Sequence, residues 1–454
     1  MTQCTQDSFE FEAHFSRRVT ATFDAGALTT DGGGLLLRQT ERRIGLLKRL
    51  SGCFTDYRRA DRIEHRLDEM LAQRIYGLAL GYEDLNDHEQ LRHDPLLAVL
   101  SGKKKLGPAL AGKSTLNRME LSPAGDGLKQ RYSKISYSAE AIDRLLVTLF
   151  QEAHARAPRR IVLDLDATDT PLHGQQESRF FHGYYNHYCY LPLYIFCGDH
   201  LLRARLRPSN IDAGAGSLDE VKAVVAQIRE RWPKTHIMLR ADSGFCGDEL
   251  MSWCEANGVD CLLGFARNDR LRAMIEAAMQ QAQAEHERTG KAARVFTEFD
   301  YQTTTGSWSR ARRVVAKAEQ IEGKENPRYV VTSLGAGAWP ARVLYERLYC
   351  ERGEMENRIK EQLSLFADRL STETMRSNQL RLYLSSLAYV LVCALRRLAL
   401  KGTEWAKVQT ATIRLRLLKI AARVRVTARR IWVSYSSAYA WRNQFEAAFA
   451  ALRR

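Results

Sequence analysis

The sequence of 454 residues predicts an α/β fold whose central sheet is interrupted by an inserted β-rich module, with a mainly helical region before it and a helical basic region after it. Strand and helix patterns alternate between residues 160 and 267, which is typical of an α/β sheet. The alternation stops between residues 268 and 340, where short strand-like runs are separated by turns such as Thr305-Gly306-Ser307. Apolar residues recur every three or four positions in the flanking parts, as in helices.

These patterns divide the chain into five parts, and at about 100–200 residues per domain they should form two or three cores. We expect a mainly helical region at 1–155, the first part of the sheet domain at 156–267, the β-rich insertion at 268–343, the second part of the sheet domain at 344–400 and a basic C-terminal region at 401–454.

The first region begins with a turn at Asp31-Gly32-Gly33-Gly34, followed by a predicted helix. Its basic loop contains Lys103, Lys104 and Lys105. A run of three lysines is either solvated surface or a contact to phosphates, and the sequence leaves both open.

The sheet domain is predicted from short apolar runs, each bounded by turns. Its strands are expected at 161–166, 190–197, 201–206, 236–242 and 259–265, and those of the insertion at 294–302, 312–318 and 328–334. Catalytic groups in such sheets gather where strands end.

The net charge indicates the partner. Lys and Arg number 68 against 53 Asp and Glu, a balance of +15 that favours a polyanion such as nucleic acid. Residues 401–454 hold twelve Lys or Arg and two Glu, so most of the excess lies in the C-terminal region, which should contact the DNA backbone while sequence is recognised elsewhere.

Targeting signals are not predicted. The charge-free stretch at 382–395 is shorter than the about 20 residues that span a bilayer, and acidic residues precede any apolar run at the start of the chain. The nine cysteines include no C-x-x-C pair, so we expect reduced thiols in the cytoplasm.

Residues 107–114, Gly-Pro-Ala-Leu-Ala-Gly-Lys-Ser, match the phosphate-loop pattern of nucleotide-binding proteins. That loop must follow a buried strand, and here a basic polar loop precedes it. We therefore expect no nucleotide cofactor and interpret Arg118, near the start of the next helix, as a phosphate contact. The rival interpretation, an ATPase, predicts that Lys113→Ala abolishes nucleotide binding.

Carboxylates follow two predicted strands. Asp164 and Asp166 face the same side of one strand, and Asp242 ends another. Each could singly be a helix cap or a turn residue, but together they favour a site for a hard cation with oxygen ligands.

A third acidic residue lies in a predicted helix. Tyr349, Arg352 and Glu356 fall within about 60° on a helical wheel, and Lys360 continues the same stripe. This stripe is either a solvated series of ion pairs or a third metal ligand with cationic phosphate clamps.

With these residues the chain resembles the DDE transposases of bacterial insertion sequences that bear a Tyr-Arg-Glu-Lys signature. The matching motifs are Asp-Ala-Thr from Asp166, Arg-Ala-Asp-Ser-Gly-Phe around Asp242, and Tyr-x2-Arg-x3-Glu ending at Glu356; segments 28–34 and 182–187 resemble one subgroup. The resemblance implies an RNase H-like catalytic core with a β-rich insertion before the last acidic residue.

By matching position, the resemblance implies that Asp166, Asp242 and Glu356 are the catalytic and metal-binding residues, with Asp164 as the alternative first ligand. Tyr349 and Arg352 match the signature. Its Lys would fall at Leu363, so Lys360, one turn after Glu356, is the expected substitute.

The resemblance also implies the chemistry and the partners. Two Mg²⁺ ions, for which Mn²⁺ can substitute, would activate water to cleave the element ends, and the freed 3′-OH would attack target DNA. The partners would be double-stranded DNA, as terminal inverted repeats and target, and a second copy of the chain in a homodimer. The expected DNA contacts are Tyr349, Arg352, Lys360, Lys103, Lys104, Lys105, Arg118, Arg423, Arg425, Arg429 and Arg430.

Several alternatives stay open. The chain could be a transposase-derived DNA-binding protein without cleavage activity. His182 and His187 could contact DNA or pack internally, and Asp169 is expected to be a loop or cap residue. Trp308, at a predicted hairpin tip, is the candidate for stacking on a flipped base.

Overall fold

The computed structural model describes residues 8–123, 132–304 and 306–453, so Thr305 of the predicted turn and Arg454 of the basic region lie outside the described residues. Contacts divide the chain into two compact units. The first comprises Met1–Tyr137, Ser364–Phe366 and Leu387–Arg454, and the second comprises Ser138–Leu363 and Ala367–Ser386.

The first unit is mainly helical, with short sheets. Its elements before residue 138 are β1 (Ser8–His14), β2 (Arg17–Thr22), β3 (Leu28–Thr29), α1 (Gly34–Ile44), α2 (Leu46–Ser51), β4 (Phe54–Asp56), α3 (Leu67–Leu80), α4 (His88–Leu91), α5 (Pro95–Leu100), α6 (Lys113–Glu120) and β5 (Ile135–Tyr137).

The second unit contains the large sheet. Its elements are α7 (Ala139–Glu152), β6 (Arg160–Ala167), β7 (Thr170–Pro171), β8 (Phe180–His182), β9 (His187–Tyr190), β10 (Leu193–Cys197), β11 (His200–Arg205), α8 (Ser217–Arg231), β12 (His236–Ala241), α9 (Asp248–Ala256), β13 (Val259–Phe265), α10 (Asp269–Met274), α11 (Glu276–Thr289), β14 (Ala293–Tyr301), β15 (Arg312–Ile321), β16 (Lys324–Glu325), β17 (Arg328–Thr332), α12 (Ala341–Val343) and α13 (Gly353–Leu363).

The remaining elements are α14 (Met375–Ala399), which contributes residues to both units, and α15 (Thr410–Ile413), β18 (Ala422–Val426), β19 (Ile431–Tyr435) and α16 (Arg442–Arg453) in the first unit. By length and composition α14 could cross a membrane, but 83% of its most apolar 18-residue stretch is buried inside the protein. Burial of this kind is typical of a core helix.

The sheet is mixed and its strands run in the order β11-β10-β6-β12-β13-β17-β15-β14. Strands β6, β12 and β13 are parallel neighbours, β10 is antiparallel to them, and β11, antiparallel to β10, again runs in their direction. Apolar residues on one face of the sheet pack with those of α8, α9 and α11 into one core, and residues of the other face, such as Met238 and Leu262, belong to a second cluster, so both faces are covered.

The inserted segment differs from the expected separate module. Its strands β14, β15 and β17 form as predicted, but β17 pairs with β13, so the insertion extends the central sheet. It also contains two helices, α10 and α11, and Ala278, Met279 and Ala282 of α11 are buried in the sheet core. The apolar faces of these strands and helices are therefore buried in the core that the sheet domain already provides.

The N-terminal segment of the first unit ends at Tyr137 and not near residue 155. Helix α7 belongs to the second unit because its buried Asp143 accepts hydrogen bonds from Arg203 at 2.6 Å, Arg205 at 2.5 Å and the Tyr383 hydroxyl at 2.8 Å. The charge of Asp143 is thus compensated within the unit, as a buried carboxylate requires.

The C-terminal region is built into the first unit and is not a separate tail. Strand β18 pairs with β3, and the backbone N–H of Gly32 donates to Ile420 O at 2.8 Å. A Cβ at Gly33 would lie 1.7 Å from the carbonyl oxygen of Leu417. Only glycine allows this close approach, which gives the Asp-Gly-Gly-Gly turn a structural role.

Candidate active site

Strand register brings two of the predicted carboxylates together. Ala241 of β12 pairs with Leu165 of β6 in a parallel ladder, so Asp242, the next residue, lies beside Asp166 at the carboxyl ends of the two strands. One carboxylate oxygen of Asp166 accepts the N–H of Ala167 at 2.9 Å, and one of Asp242 accepts the N–H of Gly244 at 2.9 Å.

Asp164 has a different environment. Its carboxylate accepts two hydrogen bonds from Arg240 of the neighbouring strand, at 2.5 and 2.9 Å. Both side chains are buried, with 8% and 5% of their surface exposed. Burial raises the pKa of Asp164, while the hydrogen bonds and charge of Arg240 lower it. Both carboxylate oxygens of Asp164, the alternative first metal ligand in the sequence analysis, are therefore already bound by Arg240.

The same arginine holds the segment that carries the Tyr-Arg-Glu motif. Arg240 also donates to the carbonyl of Leu348 and lies 3.6 Å from the carboxylate of Glu351. Because of this anchoring the segment is not one regular helix: a π-helical turn, Leu344–Tyr349, is followed by a 3₁₀ turn, Cys350–Arg352, and then by α13. The uniform 100° step is therefore not kept, although Arg352 and Glu356 remain one turn apart on the same face.

Arg352 nevertheless connects two of the predicted acidic residues. Its guanidinium lies 3.4 Å from the carboxylate of Asp166 and 3.5 Å from that of Glu356. Burial raises the pKa of Asp166 to about 6, the charge of Arg352 lowers it in part, and the nearby carboxylates of Asp242 and Glu356 raise it. Burial lowers the pKa of Arg352, but the surrounding acidic groups outweigh it and the pKa is raised.

The donor set has the chemistry of a divalent-cation site. Carboxylate oxygens are the ligands that Mg²⁺ prefers, and Asp166 is buried beside the charges of Asp242 and Glu356, which a bound cation would offset. Within the described part of the chain, no three His, Cys, Asp or Glu side chains lie close enough to hold an ion in their present positions. The guanidinium of Arg352 lies between Asp166 and Glu356 instead.

A glycine that the sequence analysis missed shapes this site. A Cβ on Gly264 of β13 would lie only 2.6 Å from the hydroxyl oxygen of Tyr349 and 2.8 Å from the backbone nitrogen of Ser243. Gly264 thus allows Tyr349 and the turn after Asp242 to approach the sheet. A lone glycine inside an apolar strand indicates such a close approach, so the signal was present in the sequence.

A cavity of about 720 Å³ opens beside Tyr349. Its lining is aromatic and basic, and includes Tyr184, Arg267, Lys324 and Arg328. Aromatic faces and cationic side chains together are suited to bases and phosphates of a nucleic-acid strand.

The histidine-rich segment contributes a close polar contact near Asp166. His187 Nε2 lies 2.8 Å from a carboxylate oxygen of Asp169, the residue expected to be a cap or loop residue. Burial raises the pKa of Tyr185 to about 12, and the charges of Asp169 and Asp166 add to the shift. This segment therefore lies within electrostatic range of the candidate site.

Trp308 does not lie at an accessible tip, and its predicted stacking on a base is wrong. Only 4% of its surface is exposed, and its ring packs on Phe265 at 4.9 Å and Tyr301 at 5.7 Å. Its indole instead closes the core of the extended sheet.

The predicted basic contacts lie in both units. Lys360 is exposed on α13 of the second unit, with Tyr349 and Arg352. The first unit holds the rest. Lys103 donates to the carbonyl of Ala109 at 2.7 Å and is partly used internally, whereas the other residues of this group are exposed: Lys104, Lys105, Arg118, Arg423, Arg425, Arg429 and Arg430.

The segment that matches the phosphate-loop pattern precedes α6, and the element before it is the short helix α5. The backbone N–H of Lys113 donates to the carboxylate of Glu89 at 2.8 Å, and the Lys113 ammonium donates to Asn86 at 3.1 Å. A carboxylate thus occupies the helix N-terminus where a phosphate would bind.

Comparison with known proteins gives a family. The family model described as "Transposase DDE domain group 1" matches residues 11–454. A solved structure titled "Cryo-EM structure of piggyBac transposase synaptic complex with hairpin DNA (SNHP)" is similar with a TM-score of 0.41 and 10% sequence identity, over 86% of this chain and 79% of that chain. No curated protein matches. Because the family match extends over nearly the whole chain, this protein belongs to the DDE transposases of domain group 1.

Proposed function

We propose that this transposase binds the terminal inverted repeats of its own bacterial insertion sequence and moves the element by cut-and-paste, with metal-dependent strand cleavage and strand transfer. One observation supports it most: Asp166 and Asp242, at the ends of adjacent parallel strands, lie with Glu356 around a single arginine. The strand order β11-β10-β6-β12-β13, with only β10 antiparallel to the others, is the order expected of an RNase H-like core.

Asp166, Asp242 and Glu356 are the residues that would hold Mg²⁺ or Mn²⁺. When bound, such ions lower the pKa of water and stabilise the charge that develops on a phosphodiester. Glu356 can adjust to this role because 54% of its side chain is exposed, whereas Asp166 is fixed in the sheet.

The protein's own cations would orient the DNA. Arg352 makes only long contacts to its two carboxylates, so it can exchange one of them for a non-bridging phosphate oxygen. Lys360, exposed one turn after Glu356, would contact the backbone next to the cleaved bond. The Tyr349 hydroxyl, which packs against the backbone of Gly264, would hold the side chain of Arg352 in place.

Binding requires surfaces beyond the reacting phosphate. The cavity lined by Arg267, Lys324 and Arg328 would accept a DNA strand next to the site. The basic residues of the first unit would contact the duplex backbone, and a homodimer would bring two element ends together.

The test is a nicking assay on DNA that carries the element's own ends, with Mg²⁺. We expect Asp166→Ala, Asp242→Ala and Glu356→Ala each to abolish nicking while end binding persists. Glu354→Ala is the matched control, because this exposed residue of the same helix pairs with Arg358 at 3.2 Å. Retained nicking in any of the three variants would remove that residue from the site.

The same assay tests the substitute lysine and the alternative function. Lys360→Ala should reduce strand transfer or cleavage more than Leu363→Ala does. A protein that binds ends but shows no nicking with either Mg²⁺ or Mn²⁺ would be the non-catalytic DNA-binding relative.

A further inference from the structure

The segment between residues 405 and 445 has an unusual charge distribution. It contains nine Lys or Arg residues and neither Asp nor Glu. Part of this charge is used within the first unit: Lys419 pairs with Asp31 at 2.7 Å, and Arg414 donates to the carbonyl of Ser364 at 2.9 Å. These contacts fix the segment without using all of its cations.

Four arginines on the β18–β19 hairpin remain. Arg423, Arg425, Arg429 and Arg430 are all exposed, and none forms an ion pair with any carboxylate in the described ranges. Four uncompensated guanidinium groups within eight positions repel one another, so their arrangement favours an anionic partner.

The two faces of the hairpin have different roles. Ala422 and Val424 face inward and are buried, and β18 is anchored by pairing with β3. The opposite face carries Arg423 and, directly across the ladder from each other, Arg425 and Trp432. The root of the hairpin is therefore fixed in the first unit, while its basic and aromatic face is directed to solvent.

The tip is rigid and partly apolar. Thr427 closes a tight turn, with its N–H donating to the carbonyl of Arg430 at 2.9 Å and its hydroxyl accepting the N–H of Arg430 at 3.1 Å. Trp432 is 45% exposed and Ile431 43%, and guanidinium groups lie 5.7–5.9 Å from the indole. Exposed apolar side chains among arginines suit a partner that offers both phosphates and apolar base edges.

We propose that the β18–β19 hairpin is an arm that enters the major groove of double-stranded DNA. Arg423, Arg425 and Trp432 face the base edges, and the tip arginines contact the flanking phosphates. A two-stranded ribbon, with strands about 4.8 Å apart and side chains on both sides, fits a groove about 12 Å wide and not the minor groove of about 6 Å. The inference rests on the proposed function only in taking duplex DNA as the partner.

The experiment measures binding of the full chain to a labelled duplex that lacks element ends, without divalent cations, at several salt concentrations. Removal of the two tip phosphate contacts by Arg429→Ala/Arg430→Ala should weaken binding by about tenfold or more at 0.1 M salt and lower the slope of log K against log salt by about 2. Arg231→Ala/Lys234→Ala removes the same charge from exposed positions of the second unit and should change neither. Arg429→Lys/Arg430→Lys should retain the slope, which separates lost phosphate contacts from misfolding.

The groove that the hairpin enters is identified from the tryptophan fluorescence of Trp432, obtained as the difference between the unsubstituted chain and the Trp432→Phe variant. We expect DNA to quench this component, and a major-groove ligand such as methyl green to reverse the quenching while the minor-groove ligand netropsin does not. Unchanged affinity of the double-alanine variant, or reversal by netropsin alone, would overturn the proposal. These binding experiments do not measure cleavage, so their outcome is independent of the nicking assay. Nicking of element ends can persist when the proposed hairpin contact is disproved, and the hairpin can bind DNA when nicking is absent.

Discussion

Gly264 offers the sharpest test of the active-site geometry. A Cβ at this position would lie 2.6 Å from the Tyr349 hydroxyl and 2.8 Å from Ser243 N, whereas ordinary contacts begin at 3.4 Å. The Gly264→Ala variant must therefore displace the hydroxyl by about 0.8 Å and also shift the turn after Asp242. Overpacking of this kind costs about 1–3 kcal/mol of unfolding free energy.

The effect on catalysis should exceed the effect on folding. Displacing groups by about 1 Å can reduce the rate about 100-fold, so we expect nicking of element ends to fall by about 10- to 100-fold. Gly247→Ala is the control, because a Cβ there meets nothing within 4 Å and the loop is close in sequence to Asp242. It should leave nicking near the level of the unsubstituted chain.

A double-mutant cycle identifies the clashing atom. Tyr349→Phe removes the hydroxyl oxygen, so Gly264→Ala should lower the unfolding free energy less in the Tyr349→Phe background than in the unsubstituted chain. The difference should exceed about 0.5 kcal/mol, the range within which the effects of independent substitutions are additive. Some cost should remain because Ser243 N is backbone and stays in place. If Gly264→Ala lowers the unfolding free energy equally in the two backgrounds, as measured by denaturant unfolding, the proposed close contact between Gly264 and the Tyr349 hydroxyl is refuted.

Three further outcomes follow from burial and close contact. Burial raises the pKa of Asp166 from 3.8 to about 6, equivalent to about 3 kcal/mol, so the ionised carboxylate destabilises the fold above pH 6. Asp166→Asn should raise unfolding free energy at pH 7.5 in metal-free buffer, and the gain should shrink as pH falls through 6 towards 4; a less stable variant at pH 7.5 would contradict this. Asp164→Ala should instead lower it by about 3–5 kcal/mol, because the guanidinium of Arg240 is left buried and unpaired; a loss below 1 kcal/mol would show that the pair is not structural. Gly33→Ala should prevent folding of the first unit, since its Cβ would overlap the carbonyl of Leu417 at 1.7 Å, and native-like circular dichroism and proteolytic resistance would disprove that contact.

Local patterns determined much of what could be predicted. The strand runs of the sheet domain and of the insertion were located within a few residues, because apolar runs bounded by turns depend on neighbouring residues alone. Asp166, Asp242, Arg352 and Glu356 were identified from strand ends and from a motif, and the structure places them within electrostatic range of one another. Their assignment as catalytic residues stays a prediction until the nicking assay is done.

Other features depended on which distant segments meet. The uniform helical step fails at 349–356, where a π-helical and a 3₁₀ turn precede α13 and the carbonyl of Leu348 accepts a hydrogen bond from Arg240, on a strand more than 100 residues earlier. Trp308 was expected at an exposed tip, but the insertion joins the central sheet through β17 and the ring is buried against Phe265.

The sequence by itself determined the basic character of the protein, its α/β pattern and the residue types of the candidate site, since each of these follows from composition or from local spacing. Only the tertiary structure decided that Asp164 is neutralised by Arg240, that Gly264 makes room for Tyr349, and that the C-terminal region is part of the first unit. The physical reason is that hydrophobic patterns specify that a face is buried, whereas close packing and charge compensation depend on the particular neighbours across long sequence separations.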